Sequence, residues 1–280
     1  MSGQQGAASR RFATTDPVDF VVIGSGPAGG SVARELSRLG HNVLVLEQGR
    51  AYERGEFHHD ELDVFFNNKY LNNPPDHVQT YRKTPDEKAK PQPYLIYAQA
   101  VGGSSMHFAA NYWRFRPIDF VEYGRKGGVA GAALADWPIT YEELEPYYSA
   151  VEWAIGVSGE AGVDPNEGRR SRPYPMPPLD VTGPGVLLEV AAKKMGWRAL
   201  PAPMAIASRR YRGREACHNC GFCWSFPCEW GAKSGTNFTM IPEALATGRC
   251  ELRTQCKVSR IETDASGRVT GVVYFDRQRR

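Results

Sequence analysis

Two β-branched apolar runs, Asp19-Phe-Val-Val-Ile-Gly24 and Asn42-Val-Leu-Val-Leu-Glu47, flank a stretch in which Val32, Leu36 and Leu39 recur at helical spacing. The runs predict strands buried on both faces, and the stretch between them a helix over Gly29–Leu39 stopped by Gly40. Beyond Arg50 the periodicity fades into a segment rich in Asn, Pro, Lys and Asp that extends to about Ala98. This reads as a surface excursion holding one short helix around Asp60–Phe66. Thr140 with Glu143 three residues on predicts a capped helix running through Trp153, with Pro146 marking a kink or a fresh start. Gly159–Leu179 contains five prolines and is expected to be loop. Further helices are predicted over Gly185–Met195, ended by Gly196, and over Thr239–Thr247. Cys250–Asp264 and Val269–Phe275 read as paired strands joined by an Ala265-Ser-Gly turn. Residues 1–16, small and polar, predict a disordered lead-in, and no internal repeat is visible.

The order strand, helix, strand near the N-terminus predicts an α/β protein built on a Rossmann-like domain with a parallel sheet. With 280 residues, 41% hydrophobic, the chain can bury a substantial core. A formal charge of +3 with both signs interspersed gives no electrostatic footprint for nucleic acid. No apolar run approaches the roughly 18 residues of a membrane span, and no apolar stretch follows the Arg10-Arg11 pair as a signal peptide requires. The expectation is therefore a cytoplasmic protein, periplasmic only if exported with a partner.

Between the first two strands lies Gly24-Ser25-Gly26-Pro27-Ala28-Gly29, a G-x-G-x-x-G run. Each glycine has a physical reason: Gly24 turns the chain sharply, Gly26 lets a pyrophosphate approach the backbone, and Gly29 lets the helix pack closely. The start of that helix presents free N–H groups and a positive dipole end to the phosphates. Glu47, closing the second strand, is placed to accept hydrogen bonds from the adenosine ribose. The unit alone leaves FAD and NAD open; its place at the extreme N-terminus leans to FAD.

Val101-Gly-Gly-Ser-Ser-Met-His-Phe-Ala-Ala-Asn-Tyr-Trp-Arg, followed by Arg116-Pro-Ile-Asp-Phe120, resembles the glucose–methanol–choline (GMC) oxidoreductases, most closely their bacterial FAD-dependent sugar and gluconate dehydrogenases. Tyr141-Glu-Glu-Leu-Glu-Pro-Tyr-Tyr, Gly156-Val-Ser-Gly and Gly231-Ala-Lys-Ser-Gly-Thr extend the resemblance over nearly the whole chain. It implies a second flavin loop, in which Gly102 and Gly103 permit close backbone approach and Ser104 and Ser105 hydrogen-bond phosphate or ring atoms. It also implies that Val258 touches the adenine through its backbone. Related flavoenzymes attach FAD covalently to a histidine in such a loop, which leaves His107 two roles: an 8α-histidyl bond, or packing and hydrogen bonding beside the flavin. His58 and His59, in the polar excursion, read as a solvated pair.

The resemblance further implies a division into an FAD-binding domain over 17–120 and 217–280 and part of an α+β substrate domain over 121–216. Family members are much longer chains, and their second half carries the active-site base, so no catalytic residue is expected before Arg280.

Cys217, Cys220, Cys223 and Cys228 form C-x2-C-x2-C-x4-C, close to a ferredoxin run but one residue longer in its last gap. Three readings stay open: ligands of an iron–sulfur cluster relaying electrons from the flavin, four thiolates on zinc, or buried or redox-active thiols. Cys250 and Cys256 read as core residues.

Together these features predict a flavin-dependent dehydrogenase that oxidises a CH–OH group of a sugar, polyol or other alcohol by hydride transfer to the flavin. An electron-accepting subunit or cytochrome is its expected partner. Two alternatives stand beside it: an FAD-binding or electron-transfer piece that needs a second polypeptide, and an NAD(P)-linked reductase with a redox dithiol.

Overall fold

The computed structural model describes residues 10–67, 70, 80–91 and 97–276. In chain order the strands are β1 (Phe20–Ile23), β2 (Val43–Leu46), β3 (Thr80–Tyr81), β4 (Lys90–Pro91), β5 (Cys250–Arg253), β6 (Lys257–Thr263) and β7 (Val269–Phe275). The helices are α1 (Pro27–Arg38), α2 (Pro117–Phe120), α3 (Glu122–Lys126), α4 (Tyr141–Ile155), α5 (Gly183–Lys194) and α6 (Met240–Ala246). Among the described residues no helix is long and apolar enough to cross a membrane. The chain forms two compact units, one of Met1–Ala109, Gly221–Gly231 and Gly235–Arg280, the other of Ala110–Cys220 and Ala232–Ser234.

The first unit is an α/β Rossmann-like domain. Its sheet runs β1-β2-β5, all parallel, with Ile23 opposite Leu46 and Leu46 opposite Arg253. Every residue of β2 is buried. Successive side chains of a strand point to opposite faces, and β2 uses both. Val43 and Val45 join Val22, Ala33, Ala244 and Cys250 beneath α1 and α6. Leu44 and Leu46 join Phe12 and Cys256 beneath the β6–β7 hairpin, which contributes Val258, Val272 and Tyr274.

Three expectations change here. β1 is not buried on both faces: it pairs with β2 alone among the described residues, and Phe20 and Ile23 are exposed. The stretch Cys250–Asp264 is two strands rather than one. It breaks at Gln255, whose φ of 57° lets its N–H reach Gly49 O and the Cys256 N–H reach Glu47 O, folding the chain over the end of β2. The lead-in is ordered at its described end, because Phe12 is buried and hydrogen-bonded to Glu251 Oε2 and to Arg253. Residues 1–9 of that lead-in lie outside the described residues.

The excursion after β2 packs against the same unit. Phe57, Val64 and Tyr70 form a cluster with Ala98, Ala100, Met106 and Phe226. The expected short helix appears as a π-type turn over Leu62–Phe66.

In the second unit, Thr140 and Glu143 cap α4 reciprocally, Glu143 N–H to Thr140 Oγ1 at 3.2 Å and Thr140 N–H to Glu143 Oε2 at 2.8 Å. The helix passes through Pro146 without a restart and ends at Gly156, in the left-handed region. Residues 110–112 belong to this unit rather than to the first. Asn111 bridges to Met204, Ala205 N–H bonds Ala110 O and Tyr112 N–H bonds Pro203 O. The first unit's leading segment ends at Ala109.

Candidate functional site

Where β1 ends, the chain turns through Gly24 at φ +91° and enters α1, with Pro27 in its first turn. A side chain at Gly29 would place its Cβ 2.0 Å from Gly24 O and 3.2 Å from Val22, so only glycine lets helix and strand meet here. Pro27 and Ala28 are exposed at the start of α1, where N–H groups and the helix dipole favour an anion.

The second glycine loop arrives at the same place. Gly102 and Gly103 hold φ of +99° and +53°, and Gly103–Met106 form a 3-10 turn. A Cβ on Gly103 would lie 3.2 Å from Gly26 Cα, so the two loops meet backbone to backbone. Glu47 lies at their margin, 5% exposed. Its Oε2 accepts the N–H and hydroxyl of Ser25 at 2.9 and 2.7 Å, and its Oε1 accepts the Gly49 N–H at 2.8 Å. A carboxylate offers about four lone-pair sites, so Glu47 retains acceptor capacity for a sugar hydroxyl. These residues fit a dinucleotide: bare backbone for the pyrophosphate, a helix start beside it, and an acid for the ribose.

The Ser104 hydroxyl accepts the Ala98 N–H at 3.3 Å, and the Ser105 hydroxyl donates to Gly102 O at 2.6 Å. The buried Ser105 hydroxyl thus braces the loop from inside. Buried His107 ends the 3-10 turn, its N–H on Ser104 O at 3.3 Å. Val258, partly buried beside Leu46 and Cys256, sits near the end of β2.

One residue that joins the loops, at the end of the Gly231–Thr236 stretch, is not singled out as a site residue by the sequence. Buried Thr236 donates its hydroxyl to Ser25 O at 2.8 Å and Gly102 O at 3.3 Å, while its N–H reaches Ser105 Oγ at 3.1 Å. This role of Thr236 becomes visible only when α6 packs on α1. Gly30 is explained by the same packing, since a Cβ there would stand 3.1 Å from the Thr236 side chain.

Of the three readings of the cysteine loop, the two with a metal find no grouped ligand set: among the described residues no three His, Cys, Asp or Glu side chains are grouped to hold an ion. The loop is irregular, with left-handed Asn219 and Ser225, and the Cys217 sulfur accepts the Asn219 N–H at 3.4 Å. The described residues thus give no support to an iron–sulfur cluster or a zinc site. His59 departs from the solvated reading: its ring stacks on Phe222, centroids 4.8 Å apart.

The family profile of the GMC oxidoreductases matches residues 18–280. The chain is 34% identical over 268 residues to the 2-methyl-1,2-propanediol dehydrogenase of Mycolicibacterium austroafricanum, covering 94% of this chain and 46% of that protein. It is 30% identical to the fructose dehydrogenase large subunit of Gluconobacter japonicus, covering 92% of this chain and 48% of that one. In fold it is similar to a variant of the formate oxidase of Aspergillus oryzae, with TM-score 0.56 and 17% identity over 94% of this chain and 43% of that one. The protein belongs to the GMC oxidoreductase family and carries its FAD-binding N-terminal region. It spans about half the length of the curated relatives it matches.

Proposed function

We propose that this chain is the FAD-binding part of a dehydrogenase that oxidises a CH–OH group of a sugar, polyol or other alcohol. The observation that carries the reading is the meeting of Gly26 with Gly103 beside the buried carboxylate of Glu47, bare backbone and an acid of the kind that hold a dinucleotide. When bound, FAD supplies the acceptor for the hydride leaving the donor carbon. The chain's own residues hold and orient it: Glu47 takes the ribose, the α1 start faces the pyrophosphate, and the Gly102–His107 turn lies along the flavin. His107, buried behind that turn, packs beside the ring.

The names of the relatives, a diol dehydrogenase and a fructose dehydrogenase large subunit, support the alcohol or sugar donor and an electron-accepting partner subunit. A second reading, an FAD-binding piece that needs another polypeptide for turnover, is favoured by α5. Leu187 and Leu188 there are 72% and 66% exposed, and Trp197 just beyond is 68% exposed, apolar surface suited to a packing partner.

Purified protein is expected to be yellow and to release FAD on denaturation. Colourless protein that takes up no added FAD overturns the proposal. If FAD binds, dye reduction by alcohols or sugars separates the two readings, because the second predicts none until the other polypeptide is supplied.

A further inference from the structure

The side chain of Ser25 is fully buried. Its hydroxyl therefore serves the protein, although Ser25 lies inside the glycine run expected to touch the cofactor. That hydroxyl has two partners on different loops. It donates to Glu47 Oε2 at 2.7 Å and accepts the Gly102 N–H at 3.0 Å. One oxygen thus joins the carboxylate that faces the adenosine ribose to the first residue of the flavin loop.

Gly102 has no rotamer through which to relax, and its φ of +99° leaves its N–H pointing where the loop dictates. Its carbonyl is fixed as well, by Ser105 Oγ and Thr236 Oγ1. Thr236 also bonds Ser25 O. Both peptide groups flanking Gly102 Cα are thus tied, directly or through Thr236, to Ser25. A buried N–H that loses its acceptor costs the full desolvation of the group, so Gly102 cannot move away from Ser25 freely.

We infer that Ser25 is a positioning residue, a latch that transmits occupancy of the adenosine end of the cofactor site to the flavin loop at Gly102–His107. A hydroxyl on Glu47 fixes the carboxylate and, through the Ser25 O–H, the oxygen that holds Gly102. Coupling of this kind is reciprocal: a loop ordered by the flavin end must strengthen binding at the adenosine end by the same factor. The inference rests on the cofactor reading above and assigns Ser25 a role that direct contact with FAD would not give it.

The test uses ADP, which supplies the adenosine and diphosphate without the flavin, on the whole chain freed of FAD. Calorimetry first establishes ADP binding; absence of binding overturns the cofactor reading and the latch with it. Amide hydrogen exchange then follows Gly102–His107 with and without ADP. In the unaltered protein ADP is expected to slow exchange there about fivefold or more. ADP binding with no such slowing overturns the latch and leaves the cofactor reading standing, whatever any variant does. Ser25→Ala retains both backbone bonds of Ser25 and removes only the hydroxyl. It is expected to bind ADP about tenfold more weakly and, at saturating ADP, to show no slowing. Equal slowing in Ser25→Ala at saturation refutes the role of the hydroxyl.

Discussion

Arg114 grips Glu152 side-on, its Nε and Nη2 donating to the two carboxylate oxygens at 2.8 and 2.7 Å. Glu152 is almost fully buried and also accepts two bonds from Arg170, at 2.8 and 3.2 Å. Burial works against the Arg114 charge. Its hydrogen bonds to Glu152 and Tyr141 overcome that cost and raise its pKa above that of a free guanidinium. A buried ion pair stripped of one partner leaves an uncompensated charge, worth about 3–5 kcal/mol. Glu152→Gln should therefore lower unfolding stability by about that amount, read from urea unfolding followed by Trp fluorescence. A loss below about 1 kcal/mol, the size of an ordinary surface change, would show that the pair is not structural.

Glu145 completes the same group and gives it a pH dependence. Burial alone would raise its pKa. The Ser171 N–H, the Ser149 hydroxyl and Arg114 outweigh burial and hold it at about 2. A carboxylate whose folded pKa lies below its unfolded one adds stability that is fully present above the unfolded value, near 4.5, and is lost as pH falls toward 2. Urea midpoints of the unaltered protein should thus fall across that interval, and Glu145→Gln should flatten part of the fall. Identical pH profiles for the two proteins would exclude this role for Glu145.

The thiols divide by environment. Burial raises the Cys250 thiol to about 11 and pushes Cys256 up as well. Cys220 is exposed. Since the thiolate is the reactive form, brief iodoacetamide treatment at about pH 8 should label Cys220 and spare Cys250 and Cys256 until the protein is denatured. Peptide mass spectrometry reads this directly; labelling of Cys250 in the folded protein would contradict its place beneath α1 and α6.

The parts of the site visible in the sequence are those set by local rules. The Gly24–Gly29 turn, the acid at Glu47 and the Thr140–Glu143 cap depend on backbone geometry within a few residues, and spacing shows them. The bridging roles of the Ser25 and Thr236 hydroxyls are illegible because their partners lie far along the chain, Gly102 for one and Ser25 for the other, and a buried hydroxyl has no period. Exposure of Phe20 and Ile23 was illegible for a different reason: a β-branched run reads the same in an edge strand as in a central one. The cysteine run left three readings open because spacing says nothing of whether an irregular loop turns its thiols toward one point.

Two glycines of similar appearance should behave differently when a methyl group is added. Gly40, at φ +94°, has nothing within 4 Å of where a Cβ would sit. Gly40→Ala then meets backbone strain alone, about 1–2 kcal/mol, and FAD affinity should hold. At Gly29 the added Cβ would lie 2.0 Å from Gly24 O, a backbone atom that no rotamer can move aside. The turn at Gly24 or the start of α1 must shift, and with it the surface that faces the pyrophosphate. Gly29→Ala should therefore lose FAD by a factor of at least about one hundred, measured by flavin fluorescence as apoprotein is titrated with FAD, while circular dichroism checks that helix content survives. Retained affinity in folded Gly29→Ala would mean that the phosphates bind elsewhere than at the α1 start. Loss of FAD from Gly40→Ala alone would place the critical turn at the far end of that helix.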